Sequence, residues 1–147
     1  MKIYLGADHR GFALKTHIQE TLGGHEVVDL GAMTQQPQDD FVDYALLVGQ
    51  KVASENDAYG VLVCGSGAGM CIAANKIAGI RCGVGHTVEE VRAMRHDDNI
   101  NILALPADFI TQDKAVELVK VFLQTPFAPE ERFVRRIAKI KELENHA

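Results

Sequence analysis

Cys64 stands between the apolar run Val61-Leu62-Val63 and the glycine-rich stretch Gly65-Ser66-Gly67-Ala68-Gly69. A buried strand that ends on a cysteine and turns through glycines into a helix sets a thiol against backbone N–H groups and a positive helix end. Those surroundings favour a thiolate and a bound anion, so the stretch reads as a reactive thiol beside an oxyanion hole. The alternative for Cys64 is a small buried hydrophobe. Cys71 and Cys82 lie inside apolar patterns and read as core. Met70 stands where a dinucleotide fingerprint needs its third glycine and where a phosphatase-type Cys-x5-Arg loop needs arginine; no Gly-Lys-Ser/Thr follows.

Other residues could join that chemistry. Gly6-Ala7-Asp8-His9-Arg10-Gly11 ends the first strand, and in a parallel sheet that turn shares an edge with Cys64. Asp8 either caps the first helix or, with His9 and Arg10, brings an acceptor, a titratable donor and a fixed cation to the site. Arg132 and Arg136 are four apart on one helical face. They read equally as a fork for a phosphate group or, with Arg135, Lys139 and Lys141, as a solvated basic face. His17, His25, His86 and His146 show no metal-ligand spacing, and no metal or cofactor is expected.

Parallel strands must carry these turns. Strands are expected near 2–7, 25–30, 60–64, 80–84 and 100–105, with helices near 11–22, 41–55, 68–77, 87–96 and 111–124. Phe12, Leu14, Ile18 and Leu22 mark the apolar face of the first helix, with Lys15 and Gln19 off it. The alternation predicts an α/β, three-layer α/β/α sandwich on a five-stranded parallel Rossmann-like sheet. Residues 1–147 read as one domain. An extended terminal helix spans about 128–145, with Pro129 early in its first turn and Phe133, Ile137 and Ile140 in a stripe. That stripe packs either on its own sheet or on a second subunit.

Composition narrows the class. A net charge of −5 argues against nucleic-acid binding, and no apolar run reaches membrane-spanning length. With no signal peptide at the start, a cytoplasmic location is expected. The three cysteines, with no C-x-x-C pair, predict neither a disulfide nor structural zinc.

Taken together, Gly6 to Phe12, Cys64 to Gly69, Ile72-Ala73-Ala74-Asn75-Lys76-Ile77-Ala78-Gly79-Ile80-Arg81, and the Arg132/Arg136 pair resemble one family. It comprises the type B ribose-5-phosphate isomerases and the related galactose-6-phosphate isomerase subunits, and the likeness spans nearly the whole chain. The resemblance implies metal-free aldose–ketose isomerisation of a sugar phosphate through a cis-enediolate. It makes Cys64 the proton-transferring base, and Met70 marks the cysteine branch, since another branch has a glutamate there. It makes Gly65, Gly67, Ala68 and Gly69 the anion hole with Ser66 as supporting hydroxyl. Asp8, His9 and Asp98 would bind substrate, and Arg132 and Arg136 its phosphate. It also implies a homodimer with sites built across the interface, which could pair into a homotetramer.

Two positions depart from that family. Its usual Arg-x-His-Asn-Asp-x-Asn carries a ring-opening histidine; in Arg95-His96-Asp97-Asp98-Asn99-Ile100-Asn101, Asp97 takes that place and His96 stands one residue early. Asp108 stands where the family often has a phosphate-binding arginine, and Arg10 is the cation that could replace it. Enediolate chemistry with an altered substrate, such as an open-chain sugar phosphate, follows from these departures. The competing class is a non-catalytic sugar-phosphate binder or regulator, and a flavodoxin-like carrier is a weaker third.

Overall fold

The computed structural model describes residues 1–146. Its elements run β1 (Lys2–Ala7), α1 (Phe12–Thr21), β2 (Glu26–Asp29), α2 (Phe41–Ser54), β3 (Ala58–Cys64), α3 (Ala68–Ala74), β4 (Cys82–Val84), α4 (Val88–Asp98), β5 (Ile102–Pro106), α5 (Gln112–Gln124) and α6 (Glu131–Glu144). The five strands are all parallel, in the order β2-β1-β3-β5-β4. This is the expected three-layer α/β/α sandwich.

Strand alternation sorts the core into two layers. Val61 and Val63 of β3 face the layer built by α1, α4 and α5, through Leu14, Ile18, Val91, Leu118 and Phe122. Leu62 and Cys64 face the layer of α2 and α3, with Val48, Met70 and Ala74. Val61, Leu62 and Val63 are each fully buried. Burial of each such side chain stabilises by about 1.5–3 kcal/mol, so β3 is firmly anchored below its cysteine.

The chain reverses direction across the sheet between β1 and β3, since β1 leads outward to β2 while β3 continues on the other side. Crevices at the carboxyl ends of strands flanking such a switch point are where open α/β sheets bind ligands.

Several local expectations are corrected. Lys15 lies on the buried side of α1, not off it, and is only 1% exposed. Its ammonium sits 2.6 and 2.8 Å from the two Asp29 carboxylate oxygens and donates to the Ala32 carbonyl at 2.6 Å. Periodicity reads side-chain class and cannot see a carboxylate waiting at the end of β2. The helix after Cys64 stops at Ala74 rather than residue 77, because Asn75 turns its side chain onto Cys82 and Gly79 takes a left-handed φ of 84°. The expected strand 80–84 shrinks to Cys82–Val84 accordingly. Pro129 lies before α6 rather than in its first turn; extended Glu130 is the N-cap residue. No helix among the described residues is long and apolar enough to cross a membrane.

Candidate active site

Three turns meet at the carboxyl edge of the sheet. The turn after β1 rests on that after β3: Asp8 N–H donates to the Val63 carbonyl at 3.3 Å, and a β-carbon on Gly11 would collide with that same carbonyl. The turn after β5 is joined from the other side, through Ala107 N–H to Cys64 O at 2.8 Å and Asp108 N–H to Gly65 O at 3.0 Å. Cys64 is therefore held by backbone bonds and is 4% exposed.

Gly67 makes the entry into α3 with a φ of 76°, a left-handed conformation followed by helical residues. Consecutive N–H groups in such a turn converge on one point and form an anion-binding concavity. A β-carbon at Gly67 would also press on Val84 at 2.9 Å, and one at Gly69 on the Phe41 ring at 2.8 Å. Ser66 is exposed at the tip, its hydroxyl accepting from Ala68 N–H at 3.4 Å.

Asp8 is buried, and one of its oxygens accepts from Arg10 and Gly11 N–H, each at 3.0 Å. It thus shapes the turn that carries its neighbours. His9 is clamped by Asp39, which accepts from the His9 N–H at 3.1 Å and lies 2.7 Å from Nδ1. A carboxylate only accepts, so Nδ1 carries the proton and Nε2 faces outward. Burial works against the Asp39 charge, but the His9 ring and N–H, with the Tyr44 hydroxyl, outweigh it and hold the carboxyl below its ordinary range. Arg10 pairs with Asp108. The Arg10 guanidinium lies directly over Gly65, where any β-carbon would overlap it.

His96, Asp97, Asp98, Arg132 and Arg136 lie elsewhere. The strands are parallel, so α4 runs back to the opposite edge of the sheet. Its 11 residues span about 16 Å. There the His96 Nδ1 lies 2.6 Å from Asp97, and the His96 carbonyl accepts from Ala128 N–H at 3.0 Å just before α6. The His96 and Phe133 rings meet edge to face at 5.9 Å, and the Arg132 guanidinium covers Phe133 at 4.5 Å. Arg132 also donates to Glu130 at 2.9 Å. Asp98 is raised by burial and by the Asp97 charge, with Arg136 opposing. A cavity of about 610 Å³ lies beside this second cluster, not at Cys64; Asn75, Arg81, Cys82, Met94, Asp98 and Ile140 help line it.

A family model for Ribose/Galactose Isomerase matches residues 3–140. The chain belongs to the ribose/galactose isomerase family. It is 34% identical over 146 residues to ribose-5-phosphate isomerase B of Mycobacterium leprae, covering 98% of this chain and 90% of that one. Among solved structures, ribose-5-phosphate isomerase B of Mycoplasma genitalium with bound ribulose-5-phosphate superposes with a TM-score of 0.95 at 36% identity, covering 99% of this chain and 97% of that chain. The Thermotoga maritima ribose 5-phosphate isomerase matches with a TM-score of 0.92 at 40% identity, covering 96% of this chain and 97% of that one.

For a ribose/galactose isomerase, the residues expected to share one pocket fall here into two groups. Cys64, Ser66, Gly65, Gly67, Ala68, Gly69, Asp8, His9 and Arg10 converge, while His96, Asp97, Asp98, Arg132 and Arg136 gather at the far end of α4. Asp39, Tyr44 and Phe41 escaped sequence reasoning. The available signal was Asp39-Asp40, a pair of acids ending the polar loop 31–40 just before a helix.

Proposed function

We propose that this chain interconverts the aldose and ketose forms of a phosphorylated sugar through a cis-enediolate, with Cys64 as the base. The observation that carries the reading is Cys64 fixed at the end of β3, between the β1 and β5 turns and facing the left-handed entry to α3. A proton beside a carbonyl is too weakly acidic for an unaided side chain at neutral pH. The Cys64 thiolate takes that proton from one carbon and returns it to its neighbour. N–H groups of Gly65 to Gly69 receive the charge that grows on oxygen, with Ser66 in support; losing one such donor costs on the order of 3 kcal/mol. His9, oriented by Asp39, offers Nε2 to a sugar hydroxyl. The ribulose-5-phosphate in the Mycoplasma genitalium relative fits the same substrate class.

Arg132 and Arg136, which we read as phosphate ligands, lie on α6 beside the end of α4, at the edge of the sheet opposite the Cys64 turn. We therefore read residues 1–147 as one domain whose site is completed by the same residues of a second copy. Ile72, Ile140 and Leu143 leave apolar surface open for that copy, being 62%, 44% and 70% exposed. Mixing Cys64→Ala chains with Arg132→Ala/Arg136→Ala chains tests the arrangement. Activity in the mixture that neither variant has alone is expected, and an inactive mixture of exchanging dimers refutes a shared site.

A second reading concerns the sugar. Asp97 holds the place where the family resemblance expects a ring-opening histidine, and Asp108 occupies Arg10. An open-chain sugar phosphate would need no ring opening. Isomerisation assays across four-, five- and six-carbon phosphates decide between them: turnover of ribose 5-phosphate alone rejects the altered substrate. Solvent deuterium entering the carbon next to the carbonyl separates an isomerase from a silent binder.

A further inference from the structure

Aldose–ketose isomerisation moves two hydrogens, one between carbons and one between oxygens. Cys64 moves the first; the second needs a carrier of its own. The hydroxyl that gives it up lies on C2 in the aldose and on C1 in the ketose. In either direction the carrier must first accept from a hydroxyl, then donate to the oxygen next to it. That duty needs a free lone pair, surroundings that tolerate the protonated form, and a fixed place beside Cys64.

Most polar side chains of the three turns are unsuited. Asp8 is buried, with one oxygen on the Arg10 and Gly11 N–H groups. Asp108 is paired with Arg10, and Ser66 would be left as an alkoxide. His9 differs. Its Nδ1 proton goes to Asp39 Oδ1 at 2.7 Å, which leaves Nε2 a lone pair turned outward. The His9 side chain is 29% exposed and that of Asp39 6%, so an imidazolium formed here faces a buried carboxylate. A carboxylate so placed both orients the ring and stabilises its charged form. Asp39 also accepts the His9 N–H at 3.1 Å, and Gln35 donates to the His9 carbonyl at 3.2 Å. The chain puts this ring beside the thiol. Asp8 before it rests on the Val63 carbonyl, and the Arg10 guanidinium after it lies over Gly65. Cys64 faces the α2–α3 layer, and Asp39 arrives from the loop that opens α2, just before Phe41 packs on Gly69.

We propose that His9 is a second catalytic residue, whose Nε2 carries the hydroxyl proton between the two oxygens of the enediolate. This role rests on the isomerisation proposed for Cys64. From the aldose, the Cys64 thiolate takes the proton of C2. The C–H electrons form the C1–C2 double bond, and those of the carbonyl pass to the C1 oxygen. Nε2 accepts the proton of the C2 hydroxyl, and the imidazolium gives it to the C1 oxygen and is neutral again. The C2 oxygen then re-forms a carbonyl, and the double-bond electrons take the proton from Cys64 at C1. C1 gains the two electrons that C2 loses, so no outside oxidant or reductant enters.

His9→Gln can bond a hydroxyl but cannot carry its proton. Wild type and variant are compared in deuterated water, with whichever four- to six-carbon sugar phosphate the wild type turns over. Nuclear magnetic resonance reads two rates: formation of product, and entry of deuterium at the α-carbon of recovered substrate. In the variant, product formation should fall about 100-fold or more. Deuterium should still enter, because an enediolate that cannot move its hydroxyl proton returns to the starting sugar. The ratio of exchange to product therefore rises. Asp39→Asn should raise the same ratio by less, since an amide can donate to Nδ1 and leave Nε2 protonated. Retained exchange also shows that the variant's site is folded; where His9→Gln does not fold, the Asp39→Asn ratio decides. An unmoved ratio, whether both rates hold or both fall together, makes His9 a binding residue at most and overturns the role. A wild type with neither exchange nor turnover overturns the isomerase reading itself, and this role with it.

Discussion

At the level of single residues, Cys64→Ala should abolish exchange of the substrate's α-proton with solvent while phosphate binding survives. Nuclear magnetic resonance in deuterated water measures the first and calorimetric titration the second; retained exchange removes Cys64 from the mechanism. Asp39→Asn keeps the size of the side chain but loses a charge-assisted hydrogen bond to His9, a loss of about 1.5–3 kcal/mol. A drop of roughly 10- to 100-fold in kcat/KM is expected if His9 touches substrate. Asp39 also has a pH signature. Its carboxyl is held below the ordinary value by His9 despite burial. Its stabilisation is therefore complete above the unfolded value of about 4 and is lost as pH falls through the lower folded one. Acid unfolding of Asp39→Asn should lack that component. Asp108→Asn frees Arg10 from an exposed pair whose contribution to stability is at most about 1 kcal/mol. KM for the phosphorylated substrate should fall severalfold with kcat unchanged, because the acid no longer competes for the guanidinium. An unchanged KM places the pair away from phosphate.

At the scale of elements, the strand–turn–helix around Cys64 was legible because three signals agree there: an apolar run, glycines and a following helical period. Lys15 was not legible. Its partner Asp29 is 14 residues away in sequence, and only the β1–β2 pairing brings it near. That ammonium also holds the Ala32 carbonyl, at the root of the loop that delivers Asp39 to His9. Lys15→Met leaves Asp29 unpaired beside the core and should cost about 3–5 kcal/mol in urea unfolding. A loss below 1 kcal/mol would show the pair to be dispensable. The α4 terminus shows the same limit. Arg95 is buried between Tyr59 and Phe122, 5.2 and 5.7 Å from the ring centres, and donates to Asn99 and Ile100. These contacts fix the turn that presents Asp97 and Asp98, and none is visible as a periodic pattern.

For the whole molecule, the layered sheet followed from alternation, but the division of the candidate site did not. Sequence lists Asp97, Arg132 and Arg136 beside motifs of one family without saying which edge of the sheet they occupy. Only parallel topology shows that α4 carries Asp97 away from Cys64, and the contacts of Ala128 and Phe133 with His96 set the start of α6 beside it. The terminal helix meets its own chain at one end, where Phe133 packs on His96 of α4. Phe133 at its start is 3% exposed against its own chain, whereas Leu143 near its end stays open. Leu143→Glu should leave the circular dichroism spectrum intact, split the assembly in sedimentation, and remove activity with it. A fully active monomer would contradict the shared site.

The placement of the two clusters at opposite edges of the sheet has a kinetic consequence. If each pocket needs two chains, a solitary chain is silent however well folded. Turnover per chain would then fall on dilution below the dissociation constant of the pair, and rate would climb with the square of protein concentration in that regime. Cellular abundance itself would set a threshold for catalysis, with no effector required.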